Sequence, residues 1–543
     1  MKKLILTACL ALAASTAFAD WSTDLTSPLA VSGTWVEGKT ASLTKVHQCQ
    51  DGKIWVAWLS WEDGMNGYIK AQLLDTDGKE LLEPGGIYVS KHVTATWTSN
   101  FDMQVTPEGD CVVCHSDSRN DTEARQTFTP FIYKINQEGD FLWGLDGIEL
   151  PTTDGSGHRP KIGITKEGTV MVGYNDVIRE PDGMQYQIMK INNDGTLAWP
   201  KPIPMDGSFG VFMPCEEDDL YLSIIGGGGI QLYRMDSLGD MVWDAPVMVE
   251  DRDPNTRSEC VPVSDGKGGV FMSYQRYISL SIIRACLQRI TADGETSFGL
   301  QGIDISEEPG IHSFAGVACN GQREEVAAYW SMDNGDYDHL MVQKFNYYGD
   351  PQWDEPVEIE SYRNFGYAAA EGTILDDGSI VMLYGAYRGA VKLDLMVTKL
   401  DKDGNLLWSK QLGKQAYLNQ PFPVYNGNDA YIFWADNLVS HGASPDGTIW
   451  GQYINLNDGS ATKSSSVQQI AMEGAGEISF ADGALSFSAD NDATVDVFDA
   501  AGARVASYDV QAGANSISLS LDKGLYIVRL NDGQNVKTAK IML

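Results

Sequence analysis

One ten-residue pattern recurs along most of the chain and limits its fold more than any other feature. It runs basic residue, apolar residue, then Asn, Asp or Thr, two variable residues, Gly, three variable residues and an aromatic. Copies stand at residues 134–143, 190–199, 234–243, 289–298, 344–353 and 399–408. Weaker copies turn at Gly78 and Gly459. Asn and Asp side chains bond their own backbone two residues on, and Gly supplies positive φ, so each copy reads as a tight turn between strands. The turn glycines Gly78, Gly139, Gly195, Gly239, Gly294, Gly349, Gly404 and Gly459 are 61, 56, 44, 55, 55, 55 and 55 residues apart. A near-constant period of this length signals a propeller or solenoid.

Each unit carries four strand-like pieces. In the unit around Gly195 they are residues 161–165, 169–174, 185–192 and 198–205, rich in Val, Ile, Tyr and Trp and separated by Gly, Asp and Asn. No useful helical periodicity occurs beyond the N-terminus. The expected fold is all-β: a β-propeller of about eight four-stranded blades, or seven, over residues 20–459. Ring closure removes the edge that a row of sheets would expose. Residues 28–32 resemble the last strand of a unit with nothing before it. We expect that strand to complete the unit around Gly459 and close the ring.

The 543-residue chain has a formal net charge of −35. Such a field repels nucleic acid and anionic lipid, so no nucleic-acid partner is expected. Residues 1–19 read as a signal peptide: Lys2 and Lys3, an apolar run, then Ala17-Phe18-Ala19 before the cleavage site. The rival reading, Cys9 as a lipidated cysteine, has too short an apolar run before it. No later run is long enough to span a bilayer.

Seven cysteines follow the leader, an odd number. Cys49, Cys215 and Cys319 stand where other units place Val or Ile, so they read as small buried hydrophobes. Cys111-Val112-Val113-Cys114-His115 spells a haem-attachment motif. It aligns with second strands, where residues three apart face opposite ways, which opposes two bonds to one haem. The Asp-rich turns lack the ligands of a calcium loop. They resemble the Asp boxes of sialidase-like propellers only weakly, since the aromatic follows Gly by four residues rather than three. No cofactor and no metal is expected, and no catalytic residue can be named.

Ligand binding in a propeller sits on loops at one rim. The loops entering the first strands hold Lys45 and His47, Asn100, His158 and Arg159, Arg257, His312, Arg363 and Asn364, and Asn419 and Gln420. The candidate ligand-binding residues are His158, Arg159, Arg257, His312 and Arg363. Aromatics ending the second strands (Trp58, Tyr174, Tyr274, Trp330, Tyr384, Trp434) repeat at equivalent positions, which favours packing between units over sugar stacking.

The repeat stops near residue 459, a Ser-rich linker spans 460–476, and residues 477–543 alternate apolar and polar as a small β-sandwich does. Residues 497–505, 521–530 and 537–541 stand in order at the C-terminus. They resemble the type A C-terminal sorting domain of the type IX (Por) secretion system. Gly502 and Gly524 would be its turn residues, with Tyr526, Lys537 and Lys540 in its motifs. The resemblance implies a Bacteroidetes-type bacterium, an Ig-like sandwich, the type IX machinery as partner, and a protein secreted or attached to the outer surface of the outer membrane. The role expected of the repeat region is binding, to a glycan or a protein. The alternative is a secreted carbohydrate hydrolase with carboxylates near the axis.

Overall fold

The computed structural model describes residues 21–33, 39–62, 66–93, 101–122, 127–179, 182–226, 229–250, 261–279, 282–308, 310–362, 368–387, 393–416, 419–436, 447–463, 479–481, 484–489, 491–499, 504–519, 521, 525–531 and 536–542. The leader, Arg257, Arg363, Gly502 and Gly524 lie outside them. The chain divides into two compact units, Met1–Lys463 and Ser464–Leu543. Among the described residues, regular structure is β throughout apart from one 3-10 turn at Gly299–Gln301.

The first unit is a succession of four-stranded antiparallel groups. The first three are Lys39–Gln48, Ile54–Glu62, Asn66–Leu74 and Ile87–Tyr88; Asp102–Val105, Cys111–Asp117, Thr129–Ile135 and Ile148–Glu149; and Gly157–Ile164, Val170–Arg179, Asp182–Ile191 and Ile203–Met205. The fourth is Ser208–Pro214, Leu220–Gly226, Gly229–Met235 and Val247–Met248. The fifth (Val263–Ser264, Val270–Ser279, Ile282–Ile290, Ile303–Asp304) and sixth (Ile311–Asn320, Glu325–Asp333, Asp338–Asn346, Val357–Tyr362) merge into one sheet through a single parallel bridge, Ile283 to Ile311. The seventh is Ala368–Ile374, Ile380–Tyr387, Leu393–Leu400 and Leu406–Ala416. The eighth takes Asn419–Asn426, Asp429–Ala435 and Ile449–Asn455 from the end of the unit and Leu29–Ala30 from its start. Leu29 pairs with Gly451 and Ala30 with Trp450, as expected of the orphan N-terminal strand.

Observed strands in the third group run longer than sequence alone suggested, because second and third strands continue outward as a ladder from Val170–Ile191 to Arg179–Asp182. The fourth strand starts later. After the Gly turn a single bridge, Ile191 to Leu197, holds the chain before the short pairing at Ile203.

Apolar side chains fill the space between consecutive groups. Trp55 and Ala57 meet Met103 and Val113; Val112 and Ile132 meet Ile162 and Val172; the series continues until Tyr431 and Phe433 meet Val56 and Trp58. The last layer thus returns to the first, and the unit resembles a repeat β-propeller. The six aromatics expected at the ends of the second strands stand inside them, because the strands run on past each, and all six are fully buried in these layers as packing residues.

The Gly turns explain the repeated pattern. Gly404 N donates to Asp401 O at 3.1 Å, and Asp401 Oδ1 accepts from Asp403 N and Asn405 N at 2.9 Å each. The aromatic of each turn then slides beneath the Gly of the next group. Trp143 lies under Gly195, Trp243 under Gly294 and Trp353 under Gly404. Trp143 Nε1 donates to Asn193 O at 3.1 Å, Trp243 Nε1 to Ala292 O at 3.3 Å and Trp353 Nε1 to Lys402 O at 3.1 Å. The basic residue reaches the same place: Arg234 Nη1 also donates to Ala292 O, and Lys344 Nζ to Lys402 O, both at 2.9 Å. Trp21 takes this role for the first turn, beneath Gly78 and donating to Thr76 O at 2.9 Å.

In the second unit, Ser479–Ala481, Ala484–Ala489 and Gly513–Ser518 form one sheet. Arg504–Val510, Ala493–Asp499, Leu525–Asn531 and Val536–Met542 form the other, in that spatial order. Leu485, Phe487, Val495, Val497, Tyr526, Val528 and Leu530 make the shared core.

Candidate functional site: the ring of first strands

First strands of neighbouring groups lie against one another, and their register defines an equivalent position in each group. Lys45 pairs with Ala57, Asp102 with Cys114, Lys161 with Gly173 and Val211 with Ser223. Gly316 pairs with Tyr329, Glu371 with Leu383 and Phe422 with Phe433. In the fifth group the position is Val261, two residues before Val263, and it is 55% exposed. The ring therefore reads Lys, Asp, Lys, Val, Val, Gly, Glu, Phe. Charge fills one arc (groups seven, one, two and three, with Phe422 between) and apolar or small residues fill the other.

A β-bulge precedes this position in six first strands, at Ser42–Thr44, His158–Lys161, Ser208–Val211, Ser313–Gly316, Ala368–Ala370 and Asn419–Phe422. Three residues inside these bulges are left-handed: Leu43 at φ 46°, Arg159 at φ 49° and Phe209 at φ 58°. Non-glycine residues there are strained, and bulges re-aim side chains where a sheet meets a site. The guanidinium of Arg159 lies 4.8 Å from the centre of the Phe209 ring, a cation–π contact between the third and fourth groups.

The charged arc is electrostatically connected. Lys45 Nζ stands 4.9 Å over the Phe422 ring and acts on Glu371 and His47. Asp102 Oδ2 accepts from Ile162 N at 2.9 Å, tying the second group to the third. Burial pushes the Glu371 carboxyl up to about 7, while Lys45 pulls it the other way. Yet the Glu371 side chain is exposed to water. An exposed carboxyl whose pKa burial still raises has protein packed around it on some sides and water on another. Tyr329 and Tyr425 both feel its charge, and Tyr425 Oη is buried without a hydrogen-bond partner. One step along the strand, burial holds His47 down to about 4, against the pull of Asp102.

Of the sequence candidates, His158 and Arg159 reach this region. They stand inside the strand Gly157–Ile164, at its bulge, rather than on a loop leading to it. His158 packs on Phe128 at 5.9 Å and burial lowers its pKa. His312 lies elsewhere: it is fully buried in Ile311–Asn320, with Nδ1 accepting from Ala285 N at 3.4 Å and Nε2 unpartnered. Lys161, Asp102 and Glu371 were missed, because only the register reveals that they share one position with Lys45.

Cys111 and Cys114 are both fully buried and face opposite layers, Cys111 toward Cys49 and Trp55, Cys114 toward Ile162 and Tyr174. The six described cysteines are all free. Among the described residues no group of three His, Cys, Asp or Glu could hold a metal, and no helix is long and apolar enough to cross a membrane. In the second unit Tyr526 is a core residue, and Lys537 and Lys540 lie on the edge strand Val536–Met542.

Among solved structures, a protein of unknown function from Dyadobacter fermentans is similar over 78% of this chain and 96% of its own, with 12% identity and a TM-score of 0.36. The polysaccharide lyase Uly1 is similar over 77% and 90%, with 10% identity and a TM-score of 0.37. A streptogramin B lyase is similar over 64% and 90%, with 15% identity and a TM-score of 0.33. No curated protein matches the chain. Residues 481–543 match the family model of the secretion system C-terminal sorting domain. That match joins the two-sheet core around Tyr526 and Val528 to the three ordered C-terminal motifs: the end of this chain is a sorting domain of the type IX secretion system.

Proposed function

We propose that this is an exported eight-bladed β-propeller that binds a polar ligand in the recess at its axis. Its Ig-like C-terminal sandwich engages the type IX machinery and delivers the propeller to the outer surface of the outer membrane or beyond. One observation carries the binding reading. Positions that hold the blades together repeat around the ring, as the turn glycines and buried aromatics do. We read the equivalent position of the first strands as the one facing the axis; it does not repeat, and it gathers Lys45, Asp102, Lys161 and Glu371, of which Glu371 is exposed, the two lysines half-buried and Asp102 buried. Charges placed against a repeat's own pattern serve something other than the scaffold. The ligand class is a glycan or a protein surface. Glycan-array binding by the full secreted chain tests this. Signals lost in Lys45→Ala and Lys161→Ala, at unchanged thermal midpoint, support the recess as the site. Signals unaffected by both exclude it.

A second reading rests on Glu371 and Asp102, two unlike carboxylates on one ring. Glu371, held protonated up to about pH 7 by burial, has the character of a general acid, and Asp102 is the second carboxylate that a hydrolase of this class requires. Release of reducing ends by the full chain, abolished in Glu371→Gln, would decide for a hydrolase.

A further inference from the structure

We infer that the axial recess selects an acidic pyranose, a uronate or a sulfated sugar, with its anionic group held by Lys45 and Lys161 and its apolar side against the arc of Val211 and Val261. The inference rests on the reading of the recess as the ligand site and names its ligand class.

Charge balance supports it first. The chain holds 74 acidic residues against 39 Lys and Arg. At the equivalent positions and bulges of the first strands, the described charged side chains are Lys45, Arg159 and Lys161 against Asp102 and Glu371. The bases thus outnumber the acids in the recess of a strongly acidic molecule. A long polyanion would be repelled by the surface field, so a short acidic sugar or chain end suits an enclosed recess better.

The carboxylates are engaged in a way that leaves the lysines dominant. Asp102 is buried and directed at the backbone of Ile162. Glu371, facing Lys45 from the seventh group with Tyr329 and Tyr425 beside it and His47 next along the first strand, carries its proton up to about pH 7. Below that pH it adds no charge to compete for Lys45. Above it, Glu371 becomes an anion beside the lysine that would hold the ligand. Binding an acidic sugar and protonating Glu371 therefore favour one another by linkage.

The two-faced ring supplies the remaining specificity. A pyranose with one charged substituent has an anionic edge and an apolar C–H face. Lys45 to Lys161 spans three adjacent groups, and the apolar arc of the fourth to sixth groups follows.

Calorimetric titration of the full secreted chain with a galacturonate oligomer, a sulfated galactan oligomer and their neutral counterpart, at pH 6 and fixed salt, tests the inference. The expected result is binding of at least one acidic oligomer at least tenfold tighter than the neutral one. The galacturonate and sulfate arms identify which anion is taken. Lys161→Ala should erase the preference while leaving the thermal midpoint unchanged. Affinity for the acidic oligomer should fall severalfold from pH 6 to pH 8.5, and Glu371→Gln should flatten that dependence. Equal affinity for acidic and neutral oligomers, in the parent and in Lys161→Ala, overturns the anionic ligand yet keeps the recess as a glycan site if Phe422→Ala weakens both. Binding of no oligomer overturns the inference, and array binding unaffected by every recess variant removes the recess reading with it.

Discussion

The turn glycines show how one missing atom sets a whole residue pattern. Gly239 has φ 97°, and a Cβ there would overlap the indole of Trp199 from the preceding group. Gly144 has a similar φ of 84° but open space around its Cβ direction. Comparing the two separates backbone strain from lost packing. Gly144→Ala should cost about 1 kcal/mol, the left-handed penalty alone. Gly239→Ala should cost roughly 3 kcal/mol, because the clash with Trp199 adds overpacking to the same penalty. Chemical denaturation of both variants checks this, and equal costs would mean that the Trp–Gly stacking contributes little. At the same scale, Trp353→Phe keeps the stacked ring and loses the Nε1 donor to Lys402 O. Lys344 Nζ still donates to that oxygen at 2.9 Å, so a loss near 1 kcal/mol or less is expected.

At the scale of elements, the first unit depends on a two-residue strand. Leu29–Ala30 completes the last group, and Val31 N extends the pairing to Ile449 O at 2.8 Å. Val31 is fully buried between the eighth and first groups, beside Trp21, Trp58 and Phe433. Closing a loop of some four hundred residues costs only about 2 kcal/mol more than closing one of forty, so a short strand with a well-buried anchor suffices. Val31→Ala should therefore lower stability by about 2 kcal/mol and Trp21→Ala by about 3–5 kcal/mol, read as thermal midpoints of the full chain. The repeat period made the four-strand groups and this closing strand legible in sequence, since turn glycines and strand composition are local signals. The contact of each turn's aromatic and basic residue with the next group's turn was half legible. The Lys/Arg and Trp positions stood out, but that both reach the next group's turn carbonyl depends on packing between distant segments. The site was least legible, because Lys45, Asp102, Lys161 and Glu371 are aligned by pairing register and not by any shared residue type. The bulges before them hide that alignment further by shifting the count along each strand.

For the whole molecule, pH acts through a few buried groups set against a large negative charge. Burial holds His47, His115 and His312 down to about 4, from an ordinary value of 6.5. The folded state binds these protons less tightly than the unfolded chain does. The stability they contribute is full above pH 6.5 and is lost as pH falls toward 4. For a fully buried histidine such as His115 the drop corresponds to roughly 3 kcal/mol across that window. Glu371 has the opposite sign. Its folded value is raised from 4.5 to about 7, so its contribution is full below pH 4.5 and is lost as pH rises to 7. Three histidines outweigh one carboxyl on the acid side, so the midpoint should fall between pH 6.5 and 4.5. His115→Phe, which keeps a ring stacked 5.7 Å from Tyr133, should shallow that fall. Glu371→Gln should raise the midpoint at pH 8 relative to the parent and leave pH 5 nearly unchanged. Salt must be held constant, because a net charge of −35 repels itself and added salt alone would raise the midpoint at neutral pH. If His115→Phe and His312→Phe both keep the parent's acid slope, the buried imidazoles are not what makes the protein acid-sensitive.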